Sequence, residues 1–145
     1  MARAPAWRLA RDAYPFGCPL QTRYRDQDIL AHINNTALAG YYDEGREQFM
    51  RAVFSRVPDP VRPRIVTAEI GVSFLGEVFH PDTVEIACGV LKIGTASFEI
   101  GQALFQKGRC VGLASATFVQ TDEHGASPLG DGLRAALEGL RVREG

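Results

Sequence analysis

Five residues with reactive or hydrogen-bonding side chains lie close together near the start of the chain. They fall between positions 26 and 35: Asp26, Asp28, His32, Asn34 and Asn35. Two carboxylates and a histidine match the three protein ligands of a catalytic zinc site. A carboxylate can also act as a general base or a nucleophile. Aspartate and asparagine are equally typical of turns and helix N-termini, where their short side chains accept backbone N–H groups.

The metal alternative has the weakest support in the sequence. There is no His-x-x-x-His pair, and no fourth ligand can be recognised near Asp26, Asp28 and His32. The three cysteines are far apart, at positions 18, 88 and 110. An odd number of scattered cysteines also argues against a disulfide framework. We therefore expect neither a metal ion nor disulfide bonds.

A helix is predicted directly after the polar stretch. Residues 34–36 are all favourable N-cap types, and Pro58 sets the latest possible end. Apolar or small residues then recur at helical spacing: Leu38, Tyr42, Gly45, Phe49 and Val53. Gly40 and Gly45 inside a helix each cost about 1 kcal/mol relative to alanine. We expect that both allow the helix backbone to pack closely against a sheet.

Strands are predicted both before and after this helix in the sequence. One covers 18–25, with Leu20, Thr22 and Tyr24 on one face. Four more follow the helix, separated by short turns: 65–79, 83–93, 96–105 and 109–119. Strands joined by short turns pair as antiparallel neighbours, which predicts a four-stranded meander.

Alternation within the first strand of this meander predicts a single apolar face. Its members are Val66, Ala68, Ile70, Val72 and Phe74. A short helix capped by Asp131 is predicted over 131–140. The apolar stripe of the long helix must be buried against one sheet face. The fold class is therefore α+β, an antiparallel sheet of about five strands wrapped around one long central helix.

Composition and charge limit the domain organisation and the possible partners. Residues 1–17, interrupted by Pro5, Pro15 and Gly17, are predicted to form an N-terminal arm, and 18–145 a single domain. The formal net charge of −1 lacks the basic excess of nucleic-acid-binding proteins. No apolar run approaches the about 20 residues of a membrane span, and the N-terminus lacks the apolar core of a signal peptide. We expect a cytoplasmic protein without nucleic-acid or membrane partners.

Two segments carry a resemblance to a known family. RDQDILAHINNTALAGYYDEGRE (25–47) resembles the signature of hot-dog-fold acyl-CoA thioesterases of the 4-hydroxybenzoyl-CoA thioesterase type. These sequences have Asp-x-Asp, a glycine, a His-Val-Asn-Asn-like run and a helix with a Glu-x-x-Arg feature. The segment 92–122 is similar to the third to fifth strands of the family. Ala31 departs from the pattern because it replaces the usual glycine, and a left-handed backbone there would be strained.

The resemblance implies a hot-dog fold and hydrolysis of an acyl-CoA thioester. It implies a homodimer or homotetramer whose active sites lie between protomers, at the N-terminal end of the central helix. Asp28 aligns with the catalytic carboxylate, as base or nucleophile; from the residues alone, a turn or capping role is equally compatible. Backbone N–H groups near Asn35 would stabilise the oxyanion. His32 and Asn35 would position the substrate or water, or support the helix start.

Further candidates follow from the same resemblance. A second branch of the superfamily carries its catalytic glutamate in the helix, which makes Glu44 an alternative; otherwise Glu44 is a charge partner on the helix surface. Tyr41, Tyr42 and Phe74 are candidates for the acyl pocket or for the core. Contacts to CoA phosphates are assigned to five basic residues and to backbone N–H groups of one hairpin, although each basic residue is more often an ordinary surface charge: Arg62, Arg64, Lys92, Lys107 and Arg109, with Gly94 and Thr95 in the hairpin. No cofactor is expected beyond CoA as part of substrate and product.

Two other functions stay open at this point. A hot-dog dehydratase or hydratase acting on acyl thioesters usually pairs a histidine with a carboxylate on the helix, whereas His32 precedes the helix. A non-catalytic acyl-CoA-binding module is also compatible, although the sequence has no recognisable output segment. The leading hypothesis is an acyl-CoA thioesterase.

Overall fold

The computed structural model describes residues 3–58 and 61–144. Its long helix is α1 (Asn35–Phe54), and a short helix, α2 (Asp131–Glu138), lies near the C-terminus. The strands are β1 (Phe16–Leu20), β2 (Arg64–Phe74), β3 (Val84–Ile93), β4 (Ser97–Gln106), β5 (Arg109–Asp122) and the short β6 (Gly125–Ala126). All strand pairs are antiparallel. The predicted fold class is confirmed: one antiparallel sheet packs around one long helix.

The order of the strands differs from the prediction. Along the sheet it is β1-β3-β4-β5-β2, with β6 paired to β5. The four-stranded meander is therefore wrong for β2, which pairs with β5 instead of β3. Residues 75–83 connect β2 to β3 across the end of the sheet where α1 begins. There the N–H of Ile33 donates to the carbonyl oxygen of Val78 at 2.8 Å.

β1 starts and ends earlier than the predicted strand over 18–25. Phe16 and Gly17, which the prediction assigned to the arm, already pair with β3. Leu20 pairs with Val84, the first residue of β3, so the chain beyond it has no partner strand. Thr22 consequently lies outside the sheet. Residues 24–26 form a 3-10 turn instead of strand.

A β-bulge at Ala68 overturns the prediction of one continuous apolar face in β2. Thr67 pairs with Phe118 and Glu69 with Thr117, so Ala68 is an extra residue without a partner. Such an insertion shifts the alternation of side chains by one position. Val66 therefore faces away from the side that Ile70, Val72 and Phe74 share.

The helix prediction holds at its start and along its apolar stripe. Asn34 is the N-cap, since its side-chain oxygen accepts the N–H of Thr36 at 2.7 Å. The predicted stripe positions are all buried: Leu38, Tyr42, Gly45, Phe49 and Val53. In α2, Gly130 and not Asp131 occupies the N-cap. No helix within the described ranges is long and apolar enough to span a membrane.

The N-terminal segment covers the sheet face opposite α1. Side chains alternate across a strand, and Ile86 of β3 packs in the cluster with α1 whereas Ala87 packs with Tyr14. Residues 6–9 and 11–13 form two 3-10 turns that bring Tyr14 into this outer cluster. The sheet is thus buried on both faces near its centre.

The two helix glycines have different surroundings. A Cβ atom on Gly45 would lie 2.9 Å from Cβ of Ile86 and closer still to its Cγ2, whereas a Cβ on Gly40 would meet nothing within 4 Å. Close packing against the sheet is therefore confirmed at Gly45 and wrong at Gly40. Ile86 is fully buried and β-branched, so it has little freedom to move aside.

Alanine substitutions at the two glycines should change stability in opposite directions. Gly40→Ala is expected to raise the free energy of unfolding by up to about 1 kcal/mol through helix propensity. Gly45→Ala is expected to lower it, because overpacking of about 1–3 kcal/mol outweighs the same gain. Urea unfolding followed by circular dichroism measures both. Equal stability of the two variants would contradict the packing assigned to Gly45.

Candidate active site

A cleft of about 420 Å³ lies at the N-terminal end of α1. The loop before the helix forms one wall, and the end of β2 with the β2–β3 connection forms the other. Its lining includes Asp28, His32, Asn35, Phe74, Leu75 and Glu77. Two of the three predicted catalytic residues come from the loop, and Asn35 is the first residue of the helix.

The loop is closed by hydrogen bonds across its base. Gln27 and Ile33 form a β-bridge, and the N–H of Asp28 donates to the carbonyl oxygen of His32 at 2.9 Å. The N–H of Ala31 donates back to the carbonyl oxygen of Asp28 at 3.0 Å. Ala31 has a φ of 62°, so the expected left-handed conformation is present. Alanine there carries about 1–2 kcal/mol of strain that glycine would not have.

The Asp28 carboxylate is oriented by its own loop. Oδ1 accepts the N–H of Leu30 at 2.9 Å and, more weakly, that of His32 at 3.4 Å. Oδ2 accepts no hydrogen bond from the residues that the structure describes. Asp28 is therefore a turn residue and at the same time a carboxylate with one free oxygen on a cleft. The two roles considered for it are compatible.

The start of α1 supplies N–H groups to the same cleft. The Asn34 side chain accepts the N–H of Thr36. The backbone N–H of Asn35 has no acceptor among residues 3–58 and 61–144. The N-terminal end of a helix also carries a partial positive charge. A carbonyl oxygen or an oxyanion placed beside Asn35 would be stabilised by both features.

Glu77 is a site residue that the sequence did not reveal. Its Oε2 lies 3.3 Å from Nε2 of His32, and the ring of His32 packs edge-on against Phe79 at 5.3 Å between centroids. Glu77 reaches His32 because the β2–β3 connection crosses the end of the sheet. The predicted meander extended the first strand through position 79, which hid this crossing.

Asp26 belongs to a different cleft. Tyr41 donates its hydroxyl to Oδ2 of Asp26 at 2.7 Å and accepts the N–H of Arg23 at 3.2 Å. Burial raises the pKa of Tyr41, and the hydrogen bond to Asp26 raises it further. Asp26 and Tyr41 line a second cleft of about 620 Å³, separate from Asp28. Asp26, Asp28 and His32 therefore do not converge, and no group of three metal-ligating side chains occurs in the described part of the chain.

The other helix candidates are also remote from Asp28. Glu44 lines the second cleft and accepts a hydrogen bond from Gln48 at 3.1 Å, so its helix partner is a glutamine and not an arginine. Tyr42 is 1% exposed and belongs to the core. Of the three predicted pocket residues, Phe74 alone lines the Asp28 cleft.

Most predicted CoA contacts lie at the opposite end of the sheet. Arg64 and Phe74 are ten residues apart in β2, or about 33 Å. Lys92 is the last but one residue of β3 and lies at the same far end of the sheet as Arg64, which Arg62 precedes by two residues. The carbonyl oxygens of Gly94 and Thr95 there accept Nη2 of Arg134 from α2. Lys107 and Arg109 lie at the site end, exposed at the β4–β5 turn, where Nζ of Lys107 is 3.2 Å from Oδ2 of Asp82. Within one protomer, these positions do not form a common site.

The architecture and the position of the cleft define a hot-dog fold of the thioesterase type. Residues 22–137 match the model of the thioesterase-like superfamily. This match covers most of the chain, so the protein belongs to that superfamily. The finer 4-hydroxybenzoyl-CoA thioesterase type stays a prediction. None of the curated proteins matches this sequence.

Solved structures agree with the fold. A predicted thioesterase from Bacillus stearothermophilus is 21% identical, with 90% of this chain and 98% of that one covered and a TM-score of 0.78. A thioesterase from Thermus thermophilus, complexed with coenzyme A and Zn, is 21% identical (86% and 98% covered, TM-score 0.75). A thioesterase-superfamily structure from Jannaschia sp. CCS1 is 25% identical (90% and 87% covered, TM-score 0.76).

Proposed function

We propose that this protein is an acyl-CoA thioesterase that hydrolyses a thioester to a free acid and CoA. One observation carries the proposal: the free oxygen of an oriented Asp28 carboxylate and the unpaired N–H of Asn35 line the same cleft. Thioester hydrolysis needs a base or nucleophile beside the carbonyl carbon and donors beside the carbonyl oxygen. Membership of the thioesterase-like superfamily supports the same activity.

Two routes use this arrangement. As a base, Asp28 accepts a proton from water while the oxygen of that water attacks the carbonyl carbon; the C–S bond then breaks and the thiolate takes up a proton. As a nucleophile, Asp28 attacks the carbon itself and expels the thiolate, and water hydrolyses the mixed anhydride. In the second route, water that attacks Cγ of Asp28 in the anhydride leaves its oxygen on Asp28, whereas attack at the acyl carbon leaves it on the released acid, as in the first route. ¹⁸O in the Asp28 carboxylate after a single turnover in ¹⁸O-water therefore identifies the nucleophilic route.

His32, Glu77 and Asn35 have supporting roles in this proposal. The Glu77 carboxylate holds the imidazole of His32 at the cleft wall, where it can orient water or the thioester. Asn35 presents its side chain and its N–H to the same space. Phe74 and Leu75 provide apolar surface for the acyl group or the pantetheine arm.

The direct test is a thiol-release assay with a panel of short, long and aromatic acyl-CoA substrates. We expect release of CoA from at least one of them. Hydration of an enoyl-CoA without thiol release would favour the dehydratase or hydratase alternative. Tight binding of CoA without turnover of any thioester would favour the acyl-CoA-binding module.

We further propose that the protein self-associates as a homodimer or homotetramer that completes the site. β2 is an edge strand, and apolar side chains near its end are about half exposed: Ile70 at 49%, Phe74 and Leu75 at 50% each. Exposed edges of this kind readily pair with another chain. Because Phe74 and Leu75 also line the Asp28 cleft, a partner at this edge would enclose the substrate.

Light scattering should therefore give a mass of at least twice the 15.8 kDa of the chain. Ile70→Lys is expected to shift the protein towards monomers and to lower thiol release, because the charge would be desolvated at the interface. His124→Lys, on a highly exposed turn, serves as the control. A monomeric wild-type protein with full activity would contradict the proposed assembly.

A further inference from the structure

A cleft of about 850 Å³ lies between the N-terminal segment and the end of β2. Its lining includes Arg3, Arg8, Ser73, Phe74, Leu75 and Ser115. Phe74 and Leu75 also line the Asp28 cleft, so the two spaces adjoin where the edge strand ends. The proposed hydrolysis uses none of the polar groups of this cleft between the N-terminal segment and β2.

Arg8 is a partly buried cation without an anionic partner. Its Nη2 donates to the carbonyl oxygen of Ala114 at 2.9 Å and, at 3.5 Å, to that of Gln102. Its Nε is buried and has no acceptor in the described chain. None of the ion pairs among the described residues includes Arg8. A partly buried guanidinium whose only acceptors are carbonyl oxygens is less well compensated than one paired with an anion, so an anion in this cleft would be stabilised.

The other polar groups of the cleft suit a phosphate. Ser73 pairs with Leu113 and Ser115 with Gly71 between neighbouring strands, which places both serine side chains on the same sheet face. Arg3 adds a second guanidinium at the exposed rim. Guanidinium forks bind phosphate oxygens through paired, charge-assisted hydrogen bonds. Hydroxyl groups can donate to the remaining oxygens.

The position of Arg8 connects this anion site with the Asp28 cleft. Ala114, whose carbonyl oxygen binds Arg8, pairs with Val72 of β2. Val72 and Phe74 are two residues, or about 7 Å, apart along the strand. Phe74 and Leu75 line both clefts and so provide a continuous surface for an extended molecule between the Asp28 cleft and Arg8.

We infer that the Arg3–Arg8 cleft binds a phosphate group of the CoA part of the substrate while the thioester carbonyl lies beside Asp28. This inference rests on the proposed thioesterase function and assigns to the N-terminal segment a role in recognising the substrate. Within one protomer, the proposed phosphate contacts are thus Arg3 and Arg8, and not Arg64 and Lys92 at the far end of the sheet.

A comparison of two substrates with the same acyl group tests the inference. Acyl-CoA carries the phosphates and acyl-pantetheine does not. Arg8→Gln and Arg3→Gln should each raise the KM for acyl-CoA, by about tenfold for Arg8, since charge-assisted hydrogen bonds are lost. The KM for acyl-pantetheine and the kcat for both substrates should stay unchanged. Arg51→Gln, which removes an exposed helix ion pair, is the matched control.

An equal effect of Arg8→Gln on both substrates, or no effect on either, would overturn the inference. Arg8→Lys keeps the charge but loses the fork, so it should restore only part of the affinity. If Arg8→Gln does not fold, Arg3→Gln decides the question, because Arg3 is exposed.

Binding measurements separate this inference from the thioesterase proposal. Calorimetry should show that wild-type protein binds adenosine 3′,5′-bisphosphate and that Arg8→Gln binds it about tenfold more weakly. This result would support the phosphate site even if no thioester were hydrolysed. Binding of inorganic phosphate without binding of the bisphosphate nucleotide would overturn the assignment to CoA, as would turnover of acyl-CoA with bisphosphate binding that is independent of Arg8.

Discussion

Asp28→Asn is expected to lower thiol release from acyl-CoA by at least about 100-fold, the usual contribution of a general base. Asparagine keeps an oxygen that can accept the N–H of Leu30, so the loop should retain its shape. It removes the negative charge and the free basic oxygen that either hydrolytic route requires. Steady-state kinetics with the best acyl-CoA of the panel measure the loss.

Two further measurements make the Asp28 result specific. Circular dichroism and thermal unfolding should be unchanged, and the KM for acyl-CoA should change little, because the carboxylate acts in the transition state. Asp43→Asn removes an exposed carboxylate elsewhere on α1, where it lies 3.4 Å from Arg46, and should retain activity. Wild-type rates for Asp28→Asn would refute the catalytic role of this carboxylate.

Gln102→Leu is expected to lower the free energy of unfolding by about 3 kcal/mol or more. Gln102 is 0% exposed and joins β4 to the helix, since its Oε1 accepts Nη1 of Arg46 at 2.9 Å and its Nε2 donates to the carbonyl oxygen of Tyr42 at 3.0 Å. Leucine would leave the 5%-exposed Arg46 without its buried acceptor. For a chain of this size, Tm should fall by roughly 6–12 °C.

Cys88 is part of the same buried network. Nε2 of Gln102 also lies 3.3 Å from Sγ of Cys88. Burial raises the pKa of the Cys88 thiol to about 12, so it is neutral at physiological pH and cannot balance the charge of Arg46. The acceptor on Gln102 is thus the buried partner that Arg46 would lose.

A double variant tests whether loss of the buried acceptor of Arg46 causes the destabilisation. Gln102→Leu combined with Arg46→Met should recover much of the lost stability, because both polar partners are replaced by apolar groups. Gln48→Leu, which removes an exposed bond to Glu44, should change stability by no more than about 0.5 kcal/mol. If the double variant were less stable than Gln102→Leu, the explanation through the lost acceptor would be wrong.

Local rules were sufficient for the elements that depend on neighbours in sequence. The N-cap lies among residues 34–36, the helix stripe from Leu38 to Val53 is buried, and β3, β4 and β5 follow one another through short turns. Ala31 takes the left-handed conformation that the glycine of the resembling family suggested. Each of these features depends on period, capping or turn chemistry within a few residues.

Contacts between distant segments could not be predicted in the same way. β2 pairs with β5 and not with β3, because strand partners are set by burial of the whole sheet against α1. This pairing turns residues 75–83 into a crossing that brings Glu77 to His32. The bulge at Ala68 likewise has no local signal, yet it decides which side chains of β2 face the helix.

The features that the sequence predicts and those that only the folded structure shows therefore differ for a physical reason. The energies of capping, turn formation and side-chain periodicity depend on adjacent residues, so the sequence predicts the helix and its N-terminal loop; the resemblance to the thioesterase family then implies Asp28 as the candidate base. Other features depend on which distant groups pack together. They include the contact of Gly45 but not Gly40 with the sheet, the separation of Asp26 from the Asp28 cleft, and the position of Arg8 relative to β2. Those contacts exist only once the chain has folded around α1.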